Sequence, residues 1–165
     1  MLKINYKKIL IYFFLVAIIF SLDRISKLYV LSLLETNNMI DIYITPFLNL
    51  YLVWNKGIAF GLFSFDENAL YKFITLLITL IILIIFVMMI KTENCKVYFL
   101  ISILGGSLGN LFDRIYYSAV PDFIDFHIKG FHWFVFNVAD IFITLGILCL
   151  IIAEMFPNKF KKINK

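Results

Sequence analysis

Four long apolar runs limit the folds open to this chain more than any other feature. They lie at about residues 9–34, 69–90, 97–115 and 134–156. At about 1.5 Å of rise per helical residue, each is long enough to cross roughly 30 Å of hydrocarbon. Of the 165 residues, 62% are hydrophobic and 16% charged, whereas a soluble domain is nearer about half apolar. A soluble globular fold is excluded. The expected architecture is a single α-helical membrane domain over residues 1–165, with four transmembrane helices and no repeat or linker.

The first run follows Lys3, Lys7 and Lys8, as the apolar core of a secretory signal does. No small-x-small cleavage site follows Leu22, however. The chain continues as Asp23-Arg24-Ile25-Ser26-Lys27 with three more apolar runs behind it, so this run is expected to stay as a span.

Orientation follows from the lysines, because cytoplasmic flanks hold the excess of Lys and Arg. The N-terminal tail, the link with Lys91 and Lys96, and the tail with Lys159, Lys161, Lys162 and Lys165 are all basic. The other two connections mix Lys56, Arg114 and Lys129 with Glu35, Asp41, Asp66, Glu67, Asp122 and Asp125. Both termini are therefore expected inside. The net charge of +4 belongs to these flanking lysines and points to no nucleic acid partner. Cys95 and Cys149 fall at the inner end of one run and within another, so both are expected as free thiols.

The two outer connections alternate with the period of a strand. Ile40, Ile42 and Ile44 oppose Asp41, Tyr43 and Thr45; after a turn at Pro46, Leu48, Leu50, Leu52 and Trp54 repeat the pattern. Ile124, Phe126 and Ile128 alternate with Phe123, Asp125 and His127 before a turn at Lys129-Gly130. A small extracytoplasmic β-sheet is expected, placed at the interface or against the helices, since open strand edges are not tolerated in lipid.

Charged groups inside membrane spans are costly and usually face a functional interior. Alternating spans bring Asp23, Lys27, Asn110, Asp113, Arg114, Asp122, Asn137 and Asp140 to one level, toward the outer leaflet. Asn110, Asp113 and Arg114 share a helix face, and Asp113 reads as a structural ion pair. Arg114 suits either a structural or a site role. Asp122 and Asp140 lack an adjacent base and come from different segments. Two such carboxylates in a low-dielectric site share one proton, which suits them to activate water for peptide hydrolysis.

Several patterns mislead. Gly105-Gly106-Ser107-Leu108-Gly109 matches G-x-S-x-G, but that motif needs a strand-to-helix elbow, and here it sits within an apolar run as a GxxxG packing spacing. Asp125, His127 and His132 lack diagnostic metal spacing, so no metal and no cofactor is expected. Proton-coupled transport or a channel is the competing function for intramembrane Asp and Arg, yet no inverted or parallel repeat accompanies them.

Five ordered blocks resemble the lipoprotein signal peptidase (signal peptidase II) family over nearly the whole chain. They are Asp23-Arg24-Ile25-Ser26-Lys27 (D-x-x-x-K), Asn55-Lys56-Gly57-Ile58-Ala59-Phe60 (N-x-G-x-A-F), Gly105 to Arg114 (G-G-x-x-G-N-x-x-D-R), Pro121-Asp122-Phe123-Ile124 (V-D-F-I) and Phe136-Asn137-Val138-Ala139-Asp140 (F-N-x-A-D). Pro121 stands where the family usually has Val, and Arg24 where it often has Gln.

The resemblance implies a membrane aspartyl endopeptidase of the bacterial cytoplasmic (inner) membrane with Asp122 and Asp140 as its catalytic pair. Asn55, Gly57, Asn110, Arg114, Asn137 and Ala139 would line the site, supported by Asp23 and Lys27. It also implies diacylglyceryl-modified prolipoproteins as substrates, cut before the lipidated cysteine. Membrane lipids and globomycin-type inhibitors are the other partners implied.

Overall fold

The computed structural model describes residues 6–37, 41–56, 67–128 and 131–157. In chain order these form α1 (Tyr6–Asn37), β1 (Asp41–Thr45), β2 (Leu48–Asn55), α2 (Glu67–Lys91), α3 (Lys96–Tyr116), β3 (Val120–Ile128), β4 (Phe131–Phe136) and α4 (Val138–Met155). Gly57 to Phe60 of the N-x-G-x-A-F block, the Lys129-Gly130 turn, Lys3 and the C-terminal lysines lie outside the described residues.

Among the described residues, three helices are long and apolar enough to cross a membrane, over Tyr6–Leu34, Ala69–Lys91 and Val138–Met155. Their outer faces expose large apolar side chains such as Phe14, Leu83, Ile84 and Leu148, as lipid-facing surfaces do. α3 differs, because Gly105, Gly106, Ser107, Asn110, Asp113 and Arg114 dilute its apolar content. It packs against α1, α2 and α4, so its polar side chains meet protein. Val16 of α1, Ile82 and Met89 of α2, and Val97, Leu100, Ile101 and Leu104 of α3 form one buried core.

Glycine sets the closeness of these contacts. A Cβ on Gly105 would lie 2.7 Å from the Ile19 Cβ, and one on Gly109 would strike the Asp23 carboxylate. Both glycines of the GxxxG spacing thus face α1, the packing role expected of them. Ser107 lies inside α3, far from any strand-to-helix elbow.

The strands form one antiparallel sheet ordered β1-β2-β3-β4. The β1–β2 turn falls at Pro46-Phe47. The strict alternation read through Leu48 to Trp54 is interrupted, since the β2–β3 register shifts between Leu50 and Val53. The fourth apolar run is also shorter as a helix than the sequence suggested. Phe134 to Phe136 pair with β3 as the end of β4, and α4 begins only at Val138 after an Asn137 cap. Val30 of α1 and Phe123 of β3 pack with Leu33, Leu34, Leu50, Leu52, Ile124 and Val138, which seats the sheet on the ends of α1 and α4.

Candidate active site

Asp122 and Asp140 reach the site from two elements with different constraints. Asp122 lies in β3, directly opposite Val53 of β2. Asn55 is two residues further along β2, on the same face, and its Nδ2 donates to Asp122 Oδ2 at 2.9 Å. Before β3, Ser118 adopts a left-handed backbone with φ of 55°, which turns the chain out of α3. Pro121 is accommodated within this strand, buried and paired with Trp54.

Asp140 is placed by helix capping. The Asn137 side chain accepts from the Asp140 backbone N–H at 3.2 Å, and Asp140 Oδ2 accepts from the Asn137 N–H at 3.1 Å. This reciprocal box satisfies two helix-start donors. Asn137 also donates through Nδ2 to Asp122 Oδ1. One residue therefore holds both carboxylates. The remaining Asp140 oxygen, Oδ1, accepts from Asn110 Nδ2 at 2.8 Å.

No cation is hydrogen-bonded to either carboxylate among the described residues; the donors are amides. Asp122 is 3% exposed. Burial first, and the Asp140 charge beside it, push its pKa up from 3.8 to about 6, against the lowering effect of the Asn55 and Asn137 hydrogen bonds. Such a carboxyl takes and returns a proton near neutrality.

A second polar cluster adjoins the first through Asn110. Lys27 is fully buried and its Nζ donates to Asp23 Oδ2 at 2.8 Å, Asn110 Oδ1 at 2.8 Å and Asp113 Oδ2 at 2.6 Å. All three donors of its ammonium group are used. Arg24 completes the cluster through an ion pair to Asp113 at 2.5 Å, with its guanidinium 4.8 Å from the Phe112 ring centroid. Asp113 is thus an interhelical partner of α1, with Arg24 and Lys27 rather than Arg114 as its cations. Asp23 Oδ1 accepts from the Ala139 N–H at 3.0 Å, tying α1 to the first turn of α4.

Arg114 stays near the site through Nη1, which donates to the Asn110 carbonyl at 3.2 Å, while its Nε has no partner among the described residues. Asp23, Lys27, Asn55, Asn110, Arg114, Asn137, Ala139, Asp122 and Asp140 are accordingly brought into one connected region. Sequence reading missed the capping box and the Ala139 N–H contact. An Asn followed three residues later by Asp, just before an apolar run, is the signal for the first; a backbone donor leaves no sequence signal. The structure also gathers Asp125, His127 and His132, whose ligating atoms lie within 4.8 Å of one another.

A family model described as signal peptidase (SPase) II matches residues 15–156. The chain is 57% identical, over 99% of its length and 98% of the relative's, to a lipoprotein signal peptidase of Pelagibacter ubique strain HTCC1062. A lipoprotein signal peptidase of Anaplasma phagocytophilum strain HZ is 42% identical over 84% of this chain and 87% of its own. A bacterial membrane enzyme solved by the in meso method at 2.3 Å superposes with a TM-score of 0.67 at 25% identity, covering 93% of each chain.

Proposed function

Because the chain belongs to the signal peptidase II family, and is thereby a bacterial membrane peptidase that removes signal peptides from lipoproteins, we propose that it works as an aspartyl endopeptidase with Asp122 and Asp140 as its catalytic pair. The observation that carries this reading is Asn137, which donates to both carboxylates from its side chain and its backbone. Held this way in a buried site with amide donors, the pair shares a proton. One Asp takes a proton from water as it attacks the scissile carbonyl, and the other gives one to the departing amine. Asn55, Asn110 and Asn137 fix the lone pairs left over, so the carboxylates keep their geometry through the transfer. The Arg114 Nε, buried and without a partner among the described residues, is a donor that substrate binding could engage.

The substrate in this reading is a prolipoprotein cut before a cysteine carrying diacylglycerol. Its acyl chains would stay in lipid and hold the bond level with the pair, supplying position rather than chemistry. The lysine asymmetry supports four spans with both termini in the cytoplasm and the site toward the outer leaflet of the inner membrane. In this reading α3, third in chain order, completes the four spans, with Tyr98, Phe112, Ile115 and Tyr116 on its exposed side and its polar face packed against the other helices.

The test is the initial rate of cleavage of a diacylglyceryl-modified prolipoprotein by folded Asp122→Asn and Asp140→Asn proteins. No turnover is expected from either. Near-normal turnover in one of them would falsify the aspartyl mechanism. Equal cleavage of the unmodified and lipidated substrates would remove the proposed role of the lipid, and globomycin is expected to block the wild-type reaction.

A further inference from the structure

Asp125, His127 and His132 stand outside the catalytic pair, and strand register brings them together. Residues two apart on a strand share a face, so Asp125 and His127 project the same way from β3. In β4, Val135 pairs with Asp125 and Phe134 with Phe126, but His132 rather than Trp133 pairs with His127. Trp133 is the extra residue of a bulge, a device that re-aims side chains. Without it, His132 would fall opposite Ile128 and its side chain on the other face. The bulge therefore places His132 across from His127.

Both imidazoles converge on one carboxylate oxygen, and His132 is hydrogen-bonded to it. His132 Nδ1 lies 2.7 Å and His127 Nδ1 3.6 Å from the same oxygen, Asp125 Oδ2. The imidazole rings stack with centroids 5.1 Å apart. Asp125 is 2% exposed, yet its Oδ1 has no hydrogen-bond partner among the described residues, and neither has the buried His127 Nδ1. Burying a polar atom without a partner is costly, so these two atoms favour a further partner. The His132 side chain is 59% exposed, which leaves one side open.

We propose that Asp125, His127 and His132 bind a divalent transition-metal ion of the zinc class, which pins β3 to β4. Two imidazoles and a carboxylate are the donor set such ions favour, and the open side leaves the fourth position to water. Tetrahedral zinc with ligands at about 2.0–2.2 Å keeps them roughly 3.3 Å from one another, a value between the two distances to Asp125 Oδ2. Small shifts of the exposed His132 ring suffice to reach it. The metal takes the place of the proton between His132 and Asp125, and neutral His132 then carries its proton on Nε2. The ion serves the hairpin, not the hydrolysis.

The test is cobalt and zinc titration of the tag-free, full-length protein in detergent after chelator treatment, in a Cys95→Ser background that removes the exposed thiol. One equivalent of cobalt is expected, with the visible bands of a four-coordinate site, displaced by zinc with a rise in melting temperature. His132→Ala and His127→Ala are expected to weaken zinc binding at least tenfold, and to retain cleavage when chelator is present. His132→Gln, which keeps bulk at the exposed position, gives the same answer if the alanine protein folds poorly. Absence of a cobalt spectrum, or unchanged affinity in both histidine variants, overturns the site. Neither result touches the aspartyl reading, because cleavage is measured separately.

Discussion

Two buried clusters of carboxylates sit side by side in this protein, and they are neutralised in different ways. Asp23 and Asp113 are matched by Arg24 and Lys27, two anions against two cations. Asp122 and Asp140 receive hydrogen bonds from Asn55, Asn110 and Asn137 and from backbone N–H. Amides orient a carboxylate without cancelling its charge, so a proton has to do that. The first cluster is a brace between α1, α3 and α4. The second is left able to exchange a proton, which a salt bridge would prevent.

The largest effect expected from this contrast is on catalysis. Beyond the loss of cleavage in each single Asp-to-Asn variant, the double variant should be hardly slower than either, because residues acting as one unit lose their function together. A drop on the order of 10⁴-fold or more in kcat is expected in all three proteins, read as initial rates on a lipidated substrate. Asp113→Asn should leave the chemistry intact in whatever fraction folds. Multiplicative losses at Asp122 and Asp140 would show that they act separately.

The brace should fail through stability. Lys27→Met leaves Asp23 and Asp113 with only Arg24, and removing one partner of a buried ion network costs about 3–5 kcal/mol. Thermal unfolding in detergent reads this loss. Adding Asp113→Asn to Lys27→Met restores the charge balance and should recover part of it. A fully stable Lys27→Met protein would mean that the network is not charge-balanced as described.

Much of this contrast was legible in the sequence, for specific reasons. Asp23, Lys27, Asn110, Asp113, Asn137 and Asp140 are polar residues at matching depths of apolar runs, and few places exist for them except against one another. The GxxxG spacing likewise fixed how closely α3 meets α1. What was hidden depends on register. No period of two reveals the bulge at Trp133 or the shift between Leu50 and Val53, since each inserts one residue without changing composition. Phe134 to Phe136 looked like helix because an apolar strand and an apolar helix end read alike. Asp113 was legible as an ion pair, but Arg24 as its partner was not, because that pair joins two helices.

The pair at Asp122 also predicts how stability follows pH. Its carboxyl titrates near 3.8 when unfolded and at about 6 when folded. Between these values the folded protein binds more protons than the unfolded chain, so stability falls as pH rises from about 4 to about 6 and then levels. Asp122→Asn removes this penalty. The inactive variant should therefore be more stable than wild type above pH 6, by on the order of 1–3 kcal/mol, and the gain should vanish near pH 4. A wild-type stability that rises through this window would contradict an uncompensated carboxylate.

The smallest effect is expected where the clusters meet. Asn110 accepts from Lys27 through Oδ1 and donates to Asp140 through Nδ2, so the brace decides which way the amide points. Lys27 can only donate, and its ammonium group therefore holds the amide oxygen and turns the NH₂ toward Asp140. Asn110→Ala removes that relay while Lys27 keeps both its carboxylates, so the fold should lose only about 1–2 kcal/mol. Asp140 then lacks one of its oriented donors, and kcat should fall about 10- to 100-fold with KM little changed, since one hydrogen bond to a charged group is worth about 1.5–3 kcal/mol. A merely structural Asn110 would lower the amount of folded enzyme and leave kcat per folded molecule alone. Measuring active-site concentration with a tight inhibitor such as globomycin separates the two. If kcat per active site is unchanged, the brace and the catalytic pair are neighbours without a mechanical connection.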